Sequence, residues 1–473
     1  MRQGGTMSQS RELSLEEKAA KTAEYQAIID DRVAKARKAL AALRPYTQEQ
    51  IDALVRACAK AVFDHAEELA KDAVEETKLG TVPDKIAKNK NKAKIIWWGL
   101  KDKKSVGIIE RNEDEGIIKV ASPVGVVGAI TPMTNPIVTC MSNAMFAIKG
   151  RNPIIFAVHP KAMKSCVKTV NYINVELKKL GAPDNAIQIL ETAALELTQM
   201  LSRSADVIIA TGGMDMVRSV YSSGKPALGV GAGNVQVLVD RDINLGEAIP
   251  KIIAGRSFDN GIICAAEQSV FIPRENFDEA MKIFSSNGAF VVPNTERDKL
   301  RDVIFPEGHM SRDLVGKNAA AVAEAAGITV PAGTKILVVE AENISDVLGW
   351  EKMFPVLTTY RYDTWEDAVE MARDNLYKIG LGHSVSVHSN NDKHIEYVGT
   401  HVEVSRIVVN QVCASSAGGS FQNGLNPTNT LGCGSWGNNS ISENLTYYHL
   451  INISRIAYWQ KDHPIPTDDQ IWG

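Results

Sequence analysis

Val124-Gly-Val-Val-Gly-Ala-Ile130 and, some two dozen residues on, Ile154-Ile-Phe-Ala-Val158 decide the fold class of this 473-residue chain. Neither run alternates apolar with polar residues. A strand with one wet face would alternate with period two, so each reads as a strand buried on both faces. Outward from this pair, residues 186–190 and 207–210 are further apolar runs, and helical patterns at about 141–149, 162–180 and 195–202 lie between the four. The order βαβαβαβ with fully apolar strands predicts a doubly wound parallel sheet covered by helices on both faces. Right-handed crossovers then set the strand C-terminal ends, and the loops after them, along one edge.

Upstream, the first ~80 residues predict two amphipathic helices. Thr47 and Gln50 form a capping-box pattern, followed by an apolar stripe of Ile51, Leu54, Val55, Cys58, Val62 and Leu69, with Gly80 as the C-cap. Residues 107–120 read as a charged β-hairpin arm. Downstream, a strand at 235–239 opens a second α/β region. Helical patterns at about 245–255, 277–286 and 365–375 alternate there with apolar strands at 270–272 and 336–339, and a last strand is expected at 450–457. The domains divide as 1–234, the dinucleotide-type unit with the arm; 235–405, a second α/β unit; and 406–473, a return to the first unit and a tail.

Composition excludes several classes. Lys and Arg total 52 against 56 Asp and Glu, a net charge of -4, which gives no reason to expect nucleic acid as a partner. Nothing approaches the ~20 apolar residues of a membrane-spanning helix. Residues 1–13 lack the apolar core of a secretory leader, and Met7 is an alternative start. The six cysteines are scattered, without CxxC spacing, so no disulfide scaffold is expected and the cytoplasm is the default compartment. His383, His388, His394 and His401 crowd one region without metal-ligand spacing, and no metal is expected.

Two features carry chemistry. Thr211-Gly212-Gly213 follows an apolar strand and precedes a helical segment at 214–221, where bare backbone N–H groups suit a dinucleotide phosphate or a tight turn. Gly229-Val-Gly-Ala-Gly-Asn234 is similarly permissive. Cys264 closes Phe258-Asp-Asn-Gly-Ile-Ile-Cys264, a loop at a strand entrance, where a sulfur either faces a cleft or packs inertly. A nucleophilic thiol needs a lowered pKa or a neighbouring base.

Thr131-Pro-Met-Thr-Asn-Pro136, Ile155-Phe-Ala-Val-His-Pro-Lys-Ala162, Ser223-Gly-Lys-Pro-Ala227 with the 229–234 loop, the 258–264 stretch, and Leu431-Gly-Cys-Gly-Ser-Trp-Gly437 with Asn439-Ser-Ile-Ser-Glu-Asn444 occur in this order. Together they resemble the CoA-acylating branch of the aldehyde dehydrogenase superfamily, from about residue 45 to the end. The resemblance implies a dinucleotide domain, a catalytic domain holding Cys264, an oligomerisation arm at 107–120 with the tail, and a homodimer or homotetramer. It implies Cys264 as nucleophile, with the Asn135 amide and the Cys264 backbone N–H holding the oxyanion. Thr211, Gly212 and Gly213 would take the phosphates, His159 and Lys161 the adenosine ribose, and Glu351 the nicotinamide ribose. His383, in Gly-Leu-Gly-His383, falls in a stretch typical of the active-site region. Hydrolytic relatives place a water-activating glutamate where this chain has Gly229, so a thioester here would wait for a thiol such as CoA.

The cofactor expected is NADP or NAD, with NADP accepted because His159, Lys161 and Lys164 follow the second strand without an acidic neighbour in sequence. The implied substrates are short anionic aldehydes. Sulfoacetaldehyde is placed ahead of succinate semialdehyde because the resemblance implies an Arg in the latter's enzymes where this chain has Asn438, and acetaldehyde comes third. Gln422, Asn423, residues 426–430, Ser415 and Ser416 are the expected donors to the anion. Two other classes compete: a nucleotide-binding scaffold that has lost its chemistry, against which Cys264 and Asn135 count, and a hydrolytic aldehyde dehydrogenase, against which Gly229 counts.

Overall fold

The computed structural model describes residues 14–473, so the readings on residues 1–13, namely the absence of a leader and the start at Met7, lie outside the described residues. Among the described residues four helices precede the first strand, α1 (Leu15–Leu43), α2 (Gln48–Asp64), α3 (Ala66–Thr77) and α4 (Val82–Leu100), and three of them, not two, lie within the first 80 residues. Thr47 and Gln50 satisfy each other's backbone N–H groups at the start of α2, as their spacing predicts. The apolar stripe is broken at His65, so Leu69 belongs to α3. Helix α3 ends on left-handed Lys78, not on Gly80, which instead turns the chain into α4 with φ +73°. A Cβ on Gly80 would lie 1.8 Å from Asp259 Oδ1, so the glycine is where the helical layer meets the second domain.

The hairpin is β1 (Gly107–Asn112) and β2 (Ile117–Pro123). Then β3 (Val127–Thr131), β4 (Ile154–Val158), β5 (Ile187–Ile189), β6 (Val207–Thr211) and β7 (Ala227–Val230) form a parallel sheet of order β5-β4-β3-β6-β7. Helices α5 (Pro136–Lys149) and α6 (Met163–Lys179) join α2 on one face, and α7 (Leu195–Ser204) and α8 (Met214–Tyr221) lie with α1 on the other. The unbroken apolar runs follow from this: Ile154 and Phe156 enter the core beneath α5 and α6, while Ile155 and Ala157 enter the core beneath α1 and α7.

The second sheet is also parallel, with β8 (Val235–Val239), β9 (Glu267–Pro273), β10 (Ala289–Val291), β11 (Ile336–Glu340), β12 (Val356–Tyr362), β13 (Val385–His388) and β14 (Ile407–Val409) in the order β10-β11-β12-β9-β8-β13-β14. Helix α9 (Leu245–Ser257) connects β8 to the Cys264 loop. Strand β14 lies past the boundary drawn at 405 yet pairs with β13, so the second sheet extends further than the sequence suggests. Three residues are too few to read as a strand without sight of the partner. Finally β15 (Ile451–Ala457) runs antiparallel to β2, Ile451 opposite Pro123 through Ala457 opposite Ile117, and completes a three-stranded arm.

Candidate active site

Helix α9 stops at Ser257, and the next residues reverse the chain sharply: Asp259 (φ 51°), Asn260 (φ 55°) and Gly261 (φ 73°) are all left-handed. Two consecutive non-glycine residues in that region are costly and persist only where the surroundings hold them. Asp259 is the clamp. Its carboxylate accepts from Lys85 Nζ at 3.0 Å, Lys88 Nζ at 2.6 Å and the Thr81 N–H at 3.0 Å, while its own N–H donates to Asp84 Oδ2 at 2.9 Å. The beginning of α4 thereby fixes the loop that carries Cys264.

Cys264 faces two cavities. One, of about 550 Å³, is bounded by the loops after β3, β4 and β6 and by residues 230–232; the other, of about 400 Å³, lies between α4 and the loop from Ala414 to Leu431. Asn135 and Asn429 also line both. Gly233 permits the approach of the two domains here, since a Cβ on it would sit 1.9 Å from the Cys264 carbonyl oxygen. Burial pushes the Cys264 thiol up to about 12, Glu351 and Cys433 add to the rise, and the Arg406 guanidinium opposes it. The free thiol is therefore not poised as a thiolate.

Asn135 stands at the N-terminus of α5 but does not cap it. Its Oδ1 accepts from Lys88 Nζ at 2.6 Å. An ammonium can only donate, so the oxygen faces Lys88 and Nδ2 is turned away, where Thr134 Oγ1 at 3.5 Å is a weak acceptor. The chain Asp259–Lys88–Asn135 thus orients the amide of a residue that lines the same two cavities as Cys264.

In the larger cavity, Thr211, Gly212 and Gly213 lead from β6 into α8, and a Cβ at Gly213 would meet nothing within 4 Å. Ala193, Ala194 and Leu195 form an apolar shelf, His159 and Pro160 follow β4, and the floor is the C-terminal edge of the parallel strands. Bare backbone, an apolar shelf and the strand edge fit a dinucleotide. Glu351 is the sole carboxylate among the lining residues; Oε1 accepts from the Gly233 N–H at 3.2 Å, and burial pushes it up to about 7. His159 Nδ1 accepts from the Lys161 N–H at 3.1 Å, and burial, helped by Lys161, lowers its pKa.

The structure departs from the sequence reading at several residues. Lys161 is exposed and lines neither cavity. An acid does lie at Lys164, brought from far along the chain: the Glu76 carboxylate of α3 accepts from the N–H groups of Lys164 and Ser165, each at 2.8 Å, and from Ser165 Oγ at 2.5 Å. His383 is fully buried, lines neither cavity, has no hydrogen bond to either ring nitrogen, and is held neutral by burial, which lowers it to about 3. Its carbonyl, not its ring, is used, accepting from Arg406. Gly229 lies inside β7, and a Cβ there would be 2.7 Å from Tyr221 Cε2, so the position expected to carry a glutamate is packed against Tyr221. Asn438 is exposed and outside both cavities, which removes it as a guide to substrate. The histidine group separates, with His394 Nδ1 on Asp240 at 2.7 Å and His401 on the Tyr397 carbonyl; among the described residues no cluster suits a metal ion.

Sequence reasoning missed Lys85, Lys88 and Lys92. They recur at i, i+3 and i+7, one face of α4, and that face continues into buried Ile95 and Ile96. Lysines on the inward stripe of a helix were the available signal.

A cysteine at the seam of a doubly wound unit and a second parallel α/β unit, open to one glycine-lined and one lysine-lined cavity, is the architecture in hand. The aldehyde dehydrogenase family pattern matches residues 8–298, and the chain belongs to that family. It is 52% identical over 448 residues to the acetylating succinate-semialdehyde dehydrogenase of Clostridium kluyveri, covering 94% of this chain and 99% of that one. It is 40% identical over 451 residues to a sulfoacetaldehyde dehydrogenase of Acholeplasma sp, covering 93% of each. Its backbone is similar to that of an acetylating aldehyde dehydrogenase from Geobacillus thermoglucosidasius, with a TM-score of 0.90 at 36% identity over 94% of this chain and 99% of that one. Within the family the likeness is to the acylating branch, and the chain is an oxidoreductase of that kind.

Proposed function

We propose that the protein oxidises a short aldehyde with an anionic tail to its CoA thioester, using NAD(P)+ and CoA, by way of a thioester on Cys264. The observation that carries this reading is Cys264 shared by two cavities that Asn135 also lines, with the Asn135 amide oriented by Lys88. The Cys264 sulfur attacks the aldehyde carbon, and the carbonyl oxygen becomes an oxyanion met by Asn135 Nδ2 and the Cys264 N–H, donors aimed where charge develops. Because the thiol lies high, attack is coupled to release of its proton to solvent water, and the oxyanion then expels hydride from the same carbon to leave the thioester. The nicotinamide supplies the hydride acceptor. Thr211, Gly212, Gly213 and His159 hold the dinucleotide, Lys161 sits at the rim of the ribose, and Glu351 faces the nicotinamide ribose. The acyl group left on Cys264 is transferred to the CoA thiol, and Cys264 leaves as the thiol.

Succinate semialdehyde is the first substrate in this reading and sulfoacetaldehyde the second. The reversal follows from the loss of the Asn438 argument and from the 52% likeness to the C. kluyveri protein. The all-free cysteines suit a cytoplasmic setting, and no described helix is long and apolar enough to cross a membrane. The arm exposes Ile456, Tyr458 and Trp459, an apolar face that a second copy would cover in a homodimer or homotetramer. The deciding experiment mixes protein, aldehyde and NAD(P)+ with and without CoA and follows the reduced cofactor. Sustained turnover only with CoA is expected. Turnover without CoA would make it a hydrolytic dehydrogenase, and inactivity on every aldehyde a scaffold.

A further inference from the structure

We infer that Lys92 is the counter-ion for the anionic tail of the aldehyde, and that through it the site selects a terminal carboxylate or sulfonate over a neutral chain. The inference rests on the reaction proposed at Cys264 and names the substrate class of that same site.

Lys92 lies one turn beyond Lys88 on α4, half-buried in the wall of the 400 Å³ cavity that also holds Cys264. Its ammonium donates to the carbonyl oxygens of Gly418 at 3.0 Å and Thr428 at 3.2 Å. That uses two of its three donors and supplies no full negative charge. Among the described residues no carboxylate forms an ion pair with it, and the cavity lining contains neither Asp nor Glu. The neighbouring cation Lys88 differs, because it has a carboxylate partner, Asp259 at 2.6 Å, which it shares with Lys85. The loop is shaped around the ammonium: a Cβ on Gly418 would sit 2.7 Å from Lys92 Nζ. Burial lowers Lys92 to about 8 and Lys88 pushes the same way, while the Cys264 sulfur favours its charged form. A half-buried ammonium without a counter-charge is costly, and an anion entering the cavity removes that cost. Ser420, Gln422 and Asn429 line the same wall and supply neutral partners for the remaining oxygens.

The test compares wild type, Lys92→Met and Lys92→Arg on succinate semialdehyde, sulfoacetaldehyde and butanal at saturating CoA and cofactor. The ratio of kcat/KM for the anionic aldehydes to that for butanal should fall about 10- to 100-fold in Lys92→Met, chiefly through KM, and largely return in Lys92→Arg. In wild type the KM for an anionic aldehyde should rise as pH passes about 8, when Lys92 loses its charge, and in Lys92→Met that rise should vanish. An unchanged ratio overturns the inference. So does an equal loss on butanal, which would mean a role in chemistry or folding, or a rise in the KM for CoA with every aldehyde, which would assign the ammonium to CoA phosphates. Succinate as a dead-end ligand gives a readout independent of turnover: it should slow alkylation of Cys264 in wild type and not in Lys92→Met. Equal protection overturns the inference, whereas protection without any CoA-dependent turnover overturns only the reaction.

Discussion

The two cavities that meet at Cys264 are made of different material. The larger is walled mainly by backbone and small apolar side chains at the ends of parallel strands, with Glu351 its sole lining carboxylate. The smaller is walled by one face of α4, which brings Lys88 and Lys92, and by the Ala414–Leu431 loop, and carries no acid. One surface suits a large ligand gripped through its phosphates and flat rings. The other suits a small ligand gripped through charge. Substitutions on the first side should therefore alter how the cofactor is held, and substitutions on the second how the aldehyde is chosen, while the residues at the junction should affect both halves of the reaction.

The junction gives the largest effects. Cys264→Ala should reduce turnover by on the order of 10³-fold or more while cofactor binding, followed by protein fluorescence, survives. Near-normal activity in that variant, with loss instead in Cys140→Ala, would break the assignment; Cys140 is fully buried beside Cys166 in the first domain. Next is the strut. Lys88→Met frees the Asn135 amide to rotate and should lower kcat about 100-fold, the scale of losing one oxyanion donor. It also leaves Asp259 with one cation, so Tm should fall, consistent with ~3–5 kcal/mol for breaking a buried pair. A fall in Tm with kcat intact would make Lys88 structural only.

Smaller effects sharpen the electrostatics. Burial raises Cys264 to about 12, so its thiolate fraction should climb about tenfold per pH unit from 7 to 10, and iodoacetamide alkylation of Cys264 with it, without a plateau. Raised in the fold, this group stabilises below the ordinary thiol range, and that contribution is lost as pH rises toward about 12. Glu351 is raised to about 7, so its stabilising contribution is present in acid and lost as pH climbs through about 7, where it gains the charge that disfavours the thiolate. Glu351→Gln should accordingly speed alkylation at pH 8; a slower rate would reverse the sign of the account. The smallest effect falls at the rim. With Lys161 exposed and Glu76 occupied by the first turn of α6, Lys161→Ala should shift the NADP to NAD ratio of kcat/KM toward NAD by only about threefold, in line with an exposed ion pair. A tenfold shift would place the 2′-phosphate directly on that lysine.

What was legible in the sequence follows the same division. The larger cavity hangs on local signals: apolar runs ending in Thr211-Gly-Gly, in His159-Pro160 and in Thr131-Pro132, each a strand end whose loop must lie along one edge. The arm was equally legible, because a charged, polar turn between two short apolar stretches predicts a hairpin, though its third strand needed the fold to find β2. The smaller cavity depends on contacts between residues far apart. Lys88 reaches Asn135 47 positions away, and Lys92 reaches Gly418 326 away. His383 misled because motif position located it near the site, whereas it is completely buried and lines neither cavity.

The central claim is that an acyl group rests on Cys264 until a thiol removes it. Wild-type protein mixed with succinate semialdehyde and NADP+ in the absence of CoA should give a burst of reduced cofactor of one equivalent or less per Cys264, and mass spectrometry should find the acyl group on the Cys264 peptide. Adding CoA should strip that peptide and restart cofactor reduction. Steady cofactor reduction without any thiol, with the Cys264 peptide unmodified throughout, would contradict the account.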